Sequence, residues 1–414
     1  MVSRQAHVVV LGAGYAGLMA AMRLAKKTNA NVPITLVNDT GVFCERVRNH
    51  QLASGQPIRR YPLSSFLEGT RIRFRQGVVE AIRPSDRQID VQTEEDVRSV
   101  EYDYLVYALG SFGKTDGVPG ASEYAYTPDA SSALALAGRL PELAARGERL
   151  LIVGGGNTGV EVATELAERH PGLQITLATR RSFAHNLSPA ARAYVRKKFD
   201  EFNIRFLEGM TIVRLNERDA CTDRGDTIPF DACMWVGGFA VSDLARRAGM
   251  QVNERGQILI DRAMRSLSHP DIYAVGDAAT PAESPGAPIR MSLYTAVMMG
   301  AHGADCLAAH LNGRSPTAFG LSYMALGLSL GRRDGVVQFL DGHRDTPLSV
   351  ILTGTLANRF REFFVRFAVW AIRVQRVAPW AFTWPGRYTM RRVAVARPAR
   401  PVSARPETAA RAGR

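Results

Sequence analysis

The chain reads as an α/β protein that carries two copies of a strand, glycine-turn and helix unit, followed by a C-terminal α+β region with an amphipathic helix. Three observations predict this. Residues 7–11 form a short apolar run that enters Gly12-Ala13-Gly14-Tyr15-Ala16-Gly17 and then a helix-compatible segment. Residues 150–153 enter Gly154-Gly155-Gly156-Asn157-Thr158-Gly159 in the same manner, an internal duplication that makes both units Rossmann-like. Residues 356–377 place aromatic and aliphatic side chains at three-and-four spacing. A length of 414 residues leaves room for two or three domains at ~150 residues each. With 46% hydrophobic and 22% charged residues, collagen-like, disordered and disulfide-scaffold classes are excluded.

In order along the chain, 7–11 has the uninterrupted apolar character of a strand buried in a parallel sheet, and 18–24 continues as helix. The strand 34–37 ends at Asn38 and Asp39. Alternation with turn signals over 71–101 predicts a small antiparallel insertion, and 104–109, closed by Gly110, is another buried strand. In the second unit a helix runs to about 169 and a strand covers 174–178. Residues 234–236 before Gly237 and Gly238 repeat the strand-to-glycine pattern of 104–110. The run 272–275 before Gly276 and Asp277 is a final buried strand. A helix over about 291–311, strand character at 336–340 and the helix 356–377 follow. From about 385 a Pro-, Arg- and Ala-rich tail has nothing to bury.

The glycine turns carry the chemistry. Gly12 permits the turn, Gly14 lets the backbone approach a pyrophosphate, and Gly17, one residue after Ala16, lets helix and strand pack. The helix N-terminus beyond offers free N–H groups and the positive dipole end to phosphates. Asn38, 21 positions after Gly17, stands where an acid usually binds the ribose hydroxyls, with Asp39 beside it. In the second copy Gly154, Gly156, Asn157 and Gly159 form the turn, and Thr179 stands 20 residues on, followed by Arg180 and Arg181. A missing carboxylate with two guanidiniums accommodates a 2′-phosphate, which points to NADPH; two solvated surface arginines are the alternative.

Cysteines at 44, 221, 233 and 306 form no CxxC pair, which argues against structural zinc and against a dithiol relay, predicts no metal, and fits a reducing cytosol. The apolar run after His7 is broken by glycines and does not read as a secretory signal, and no uncharged apolar stretch reaches 18 residues. The net charge of +13 is concentrated at the end: residues 387–414 carry +7 and 356–386 carry +4, leaving +2 for the rest. The globular body therefore does not present the basic face that nucleic acid needs.

In their order these motifs resemble the two-dinucleotide flavoprotein reductases of the pyridine nucleotide-disulfide oxidoreductase superfamily. The resemblance rests on 12–17, 103–110, 154–161, 235–238 and 273–277, and covers roughly residues 6–310. It implies a discontinuous FAD-binding domain (1–115 and 265–330) around an NAD(P)H-binding domain (116–264), a C-terminal region (331–385), and a disordered Arg-rich tail (386–414). By the resemblance Asp277, after Gly276, binds the ribityl chain of FAD, with Gly110 and Gly237 closing the two sites.

The segment 43–51 looks like that of oxidoreductases related to apoptosis-inducing factor and type II NADH dehydrogenases, which places Arg46 near the adenosine or pyrophosphate of FAD. His50 then faces the isoalloxazine or is a hydrogen-bonded structural residue. The matching acid of the type II enzymes gives Glu161 a role at the nicotinamide–flavin junction, although any carboxylate is favoured in the first turns of a helix. Tyr294 and Met298 stand where those enzymes present two glutamines to quinone, which weakens the quinone assignment; Tyr294 is left either to hydrogen-bond an acceptor carbonyl or to pack in the core.

The implied activity is hydride transfer from NADPH or NADH to FAD and onward to a small-molecule acceptor, with a quinone leading. A flavin monooxygenase or biosynthetic tailoring oxidoreductase is the alternative, against which no FxGxxxHxxxW-like segment is found. A regulatory flavoprotein binding nucleic acid through its tail is a second. Phe360, Phe363, Phe364, Phe367, Trp370, Ala371, Val374 and Val377, flanked by Arg359, Glu362, Arg366, Arg373 and Arg376 and followed by Trp380 and Trp384, read as an interfacial membrane helix. The alternative is a core or homodimer face. The expected location is the cytoplasm, peripherally on the inner face of the cell membrane.

Overall fold

The computed structural model describes residues 6–283, 289–342 and 345–384, so the expected tail 386–414 lies outside the described residues. The first glycine turn joins the strand Val8–Leu11 to helix α1 (Tyr15–Lys27). That strand is central in a five-stranded parallel sheet, ordered Ile272–Ala274, Tyr104–Tyr107, Val8–Leu11, Ile34–Asn38, Ile72–Gln76. Its continuous Val/Leu content follows from burial on both faces.

Ile72–Gln76 departs from the predicted antiparallel insertion, which is confined to the three strands Val78–Arg83, Gln88–Gln92 and Val97–Glu101. As an edge strand it leaves Arg73 and Phe74 in solvent, and that half-solvated pattern mimics alternation. The short helix α2 (Asn49–Ala53) lies under the second unit.

The second glycine turn joins Arg149–Val153 to α3 (Asn157–Arg169), and its parallel sheet runs Ala125–Tyr126, Ala232–Trp235, Arg149–Val153, Gln174–Thr179, Arg205–Glu208. The two sheets repeat one plan, with the strand before each turn in the middle. The chain crosses between them through an antiparallel ribbon of Phe112–Gly113 and Phe239–Ala240. Leu244, Met250, Ile258 and Met264 then pack into the core of the first unit.

Helix α4 (Leu293–Leu311) lies against α1, and its small residues are what let the two approach. A Cβ on Gly300 would sit 2.3 Å from the Ala16 carbonyl oxygen. Beyond it come an antiparallel sheet of Ala325–Ser329, Gly335–Asp341 and Thr346–Thr353, and helix α5 (Gly354–Val374).

Ala371, expected on the aromatic stripe of α5, is fully buried, Phe360, Phe367 and Val374 of that stripe are half-buried, and the opposite face packs inward instead of meeting water. Ala357, Arg361, Val365, Ala368, Val369 and Ile372 are buried, whereas Phe363, Phe364 and Trp370 are exposed. Trp384 departs from the expected anchoring role: it is buried, and its indole N–H donates to the Gly320 carbonyl. The segment is held by Arg23, itself fully buried, whose guanidinium binds both carboxylate oxygens of Asp305 at 2.7 and 2.9 Å and reaches Gln375 and the Pro379 carbonyl.

Candidate active site

Both glycine turns have the geometry that their residues imply. Gly12 and Gly154 sit at φ +92° and +122°, a region open to glycine. A Cβ on Gly17 would lie 1.9 Å from the Gly12 carbonyl oxygen, and one on Gly159 1.8 Å from that of Gly154. Side chains are excluded there by close packing of helix on turn. Gly14 and Gly156, at the helix N-caps, instead have nothing within 4 Å of the Cβ position. Neither helix has a side-chain cap, so the N-terminal N–H groups face this open space. Two pyrophosphates fit these two places.

Asn38 differs from expectation. Its Oδ1 accepts from the Ala13 N–H at 2.8 Å and its amide donates to the Thr40 carbonyl, so it fastens the first turn, while Asp39 is exposed beside it. Asp277 lies at the end of the central sheet next to Gly276, whose φ of +73° and contact with Ala16 bring the two turns together. The Ser111 hydroxyl donates to Asp277 Oδ2 at 2.7 Å, and the Arg46 guanidinium binds the Ser111 carbonyl oxygen. Burial raises the carboxyl pKa of Asp277 against the opposing pull of Ser111 and Arg46, as for an acceptor awaiting donors. Gly110, at φ +70°, leaves room for Arg46. The residues present fit a flavin dinucleotide.

At the second turn Thr179 is buried at its strand end, Arg180 and Arg181 are exposed, and Arg181 meets His185 at 3.2 Å. Asn157 accepts from Asn186 at 2.8 Å, and Gly237 packs on the Trp235 indole.

Glu161 and His50 come together, although they are far apart in sequence. Glu161 Oε1 pairs with Arg361 of α5 at 2.8 Å and accepts from the Ser329 N–H at 3.1 Å and its hydroxyl at 3.2 Å. His50 Nε2 lies 3.2 Å from the same hydroxyl. Burial would raise the Glu161 pKa, but Arg361 and the Ser329 N–H outweigh it and hold the carboxyl below its ordinary value. Burial pushes His50 down to about 4, so its imidazole is neutral. Tyr294 is not drawn into this network. Its hydroxyl donates to the Ser322 carbonyl at 3.0 Å, and burial pushes its pKa up.

Sequence reasoning missed Ser111, Ser329, Arg361 and Glu165. Ser329 and Arg361 gave no local signal, because each meets its partner only across elements. Glu165 had one: it is an acid among Val162, Ala163 and Leu166 on a buried helix face.

Residues 6–300 match the family described as pyridine nucleotide-disulphide oxidoreductase. The chain belongs to that family. Its members use FAD and NAD(H), so the two dinucleotide turns belong to a pyridine-nucleotide-dependent flavoprotein oxidoreductase. It is similar to the NADH dehydrogenase-like protein YutJ of Bacillus subtilis, at 29% identity over 68% of this chain and 78% of that one. It is also similar to the type II NADH:quinone oxidoreductase of Staphylococcus haemolyticus, at 27% identity over 81% and 90% of the two chains. Among solved structures, NDH2 from Plasmodium falciparum in complex with NADH superposes with a TM-score of 0.75 at 15% identity, covering 92% of this chain and 99% of that one, a likeness of fold. No helix among the described residues is long and apolar enough to cross a membrane.

Proposed function

We propose that this oxidoreductase passes electrons from NADPH, through FAD, to a quinone at a membrane surface. The observation that carries the reading is the tandem of open glycine turns, Gly14 and Gly156, each at an uncapped helix N-terminus, with Asp277 beside the first only. The unit with Asp277 then holds FAD, and the unit around α3 holds the nicotinamide nucleotide. FAD, when bound, supplies the redox chemistry by accepting hydride and releasing electrons. The chain's own residues bind and orient: Arg46 and Ser111 steady Asp277, and Arg361 with Ser329 fixes Glu161 as a carboxylate.

The preference for NADPH is supported by Thr179, which cannot repel a 2′-phosphate, and by the exposed Arg180 and Arg181. The quinone is supported by the relatives of that name and by an apolar surface suited to a lipid-borne acceptor: Phe363, Trp370 and Trp380 are 61%, 47% and 80% exposed, with Arg366 on the same helix. The test is anaerobic reduction of the purified protein with NADPH or NADH, then reoxidation by a panel of quinones. Faster reduction by NADPH and turnover with quinone are expected. Equal kcat/KM for the two nucleotides overturns the NADPH preference, and reduced protein that no quinone reoxidises overturns the acceptor.

A further inference from the structure

The helix that carries Glu161 carries a second acid one turn on. Glu165 has no exposed side-chain surface, and its Oε2 has no hydrogen-bond partner among the described residues. Its other oxygen accepts from the Gln56 amide. The cationic side chain nearest to Glu161 is Arg361 at 2.8 Å, whereas the basic group beside Glu165 is the imidazole of His50, Nε2 to Oε2 at 3.9 Å. Two carboxyl groups on one helix face therefore have opposite environments, and His50 Nε2 and the Ser329 hydroxyl stand between them, 3.2 Å from each other, with Glu161 Oε1 a further 3.2 Å from the hydroxyl.

Resting on the oxidoreductase reading above, we propose that Glu165 is the proton store of this site, holding a proton that passes by way of His50 Nε2 and the Ser329 hydroxyl to Glu161. In the relay Glu165 and His50 close from 3.9 Å to hydrogen-bond distance, the O–H bond of Glu165 breaks and an N–H bond forms on His50 Nε2. That proton then moves to the Ser329 oxygen as the hydroxyl gives its own to Glu161. Glu165 ends as a carboxylate and Glu161 as a carboxylic acid, and no electron moves. The chemistry requires such a supply: NAD(P)H and a quinone give NAD(P)+ and a quinol only with one further proton from solution. Gln56, whose amide meets the Glu165 carboxyl, also lines a cleft of about 330 Å³ with Leu52, Gly55, Ile58 and the half-exposed Leu134.

The proton affinities make Glu165 the group that keeps its proton at rest, and the step toward Glu161 runs against them, so it is drawn on by the acceptor that takes the proton from Glu161. Burial lifts Glu165 to about 7, opposed by Gln56 and Arg332 and reinforced by Glu168 and Glu161, while Glu161 is held low and His50 is only a transient carrier.

The experiment uses the full chain with FAD bound. Infrared spectra in H2O and D2O below pH ~7 should show the carbonyl stretch of a protonated, buried carboxylic acid, absent in Glu165→Gln and kept in Glu161→Gln and Glu165→Asp. A band missing from the native protein, or kept in Glu165→Gln, overturns the proposal. Kinetics separates proton supply from structure, because ferricyanide takes electrons without protons. Glu165→Gln should lower quinone reduction at least about tenfold more than ferricyanide reduction, and the native quinone rate should fall as pH rises through about 7. Equal loss with both acceptors, or none, overturns the relay. A native protein that oxidises NAD(P)H with neither acceptor overturns the oxidoreductase reading instead, and the infrared result then decides the protonation of Glu165 by itself.

Discussion

Arg361→Met removes the guanidinium that faces Glu161 while keeping much of the apolar stem. The pair is 2.8 Å apart with 8% and 14% of the two side chains exposed, so water does not take over the lost contact. What remains around the carboxylate is the Ser329 N–H, the Ser329 hydroxyl and a neutral His50. Breaking a buried ion pair on one side costs ~3–5 kcal/mol, because the surviving charge keeps its desolvation penalty. The two surviving donors put the expected loss near the lower end, about 3 kcal/mol. The sign with pH follows from Glu161. Its folded pKa is depressed, so its contribution is present above the unfolded carboxylate pKa and fades as pH falls through the folded value. In the variant, burial is no longer offset and the pKa rises, so the loss should be larger at about pH 8 than at about pH 5. Urea unfolding followed by tryptophan fluorescence at both pH values measures it, and adding Glu161→Gln to each background completes a double-mutant cycle. A coupling of at least about 1.5 kcal/mol is expected. A coupling under about 0.5 kcal/mol, or a loss that is equal at the two pH values, refutes the reasoning.

Asp277→Ala removes the acceptor that Ser111 and Arg46 steady, and the purified protein should lose its bound flavin; full flavin absorbance in that variant contradicts the assignment. Thr179→Glu combined with Arg180→Ala should shift the kcat/KM ratio toward NADH by about tenfold or more, given ~1.5–3 kcal/mol for a hydrogen bond to a charged group. Phe363→Glu with Trp370→Glu changes two exposed positions on α5 and should release the protein from anionic vesicles in a sedimentation assay, with no loss of thermal stability beyond about 1 kcal/mol. Unchanged vesicle binding assigns that face to another use.

The paired glycine turns, the strands that precede them and the Gly276-Asp277 turn were legible in the sequence, because each is a local arrangement. A positive φ at Gly12 or a helix pressed onto the Gly12 carbonyl at Gly17 can be met only by glycine, so the residue type announces the geometry. The aromatic stripe of α5 was legible for the same reason: its period belongs to the helix itself. What the stripe faces was not legible. Residues 361, 365, 368 and 372 turned inward because the first unit and the sheet at 325–353 offered them a surface, and Trp384 joined the core once Arg23 had drawn the chain back over α1. The assembly around Glu161 lay furthest from sequence reasoning. His50, Ser329 and Arg361 come from three separate stretches of the chain, and the protonation state of each carboxyl depends on which cation the tertiary fold delivers. Glu161 and Glu165 are the same residue type on one helix, yet one meets Arg361 and the other a neutral imidazole, and only packing decides which.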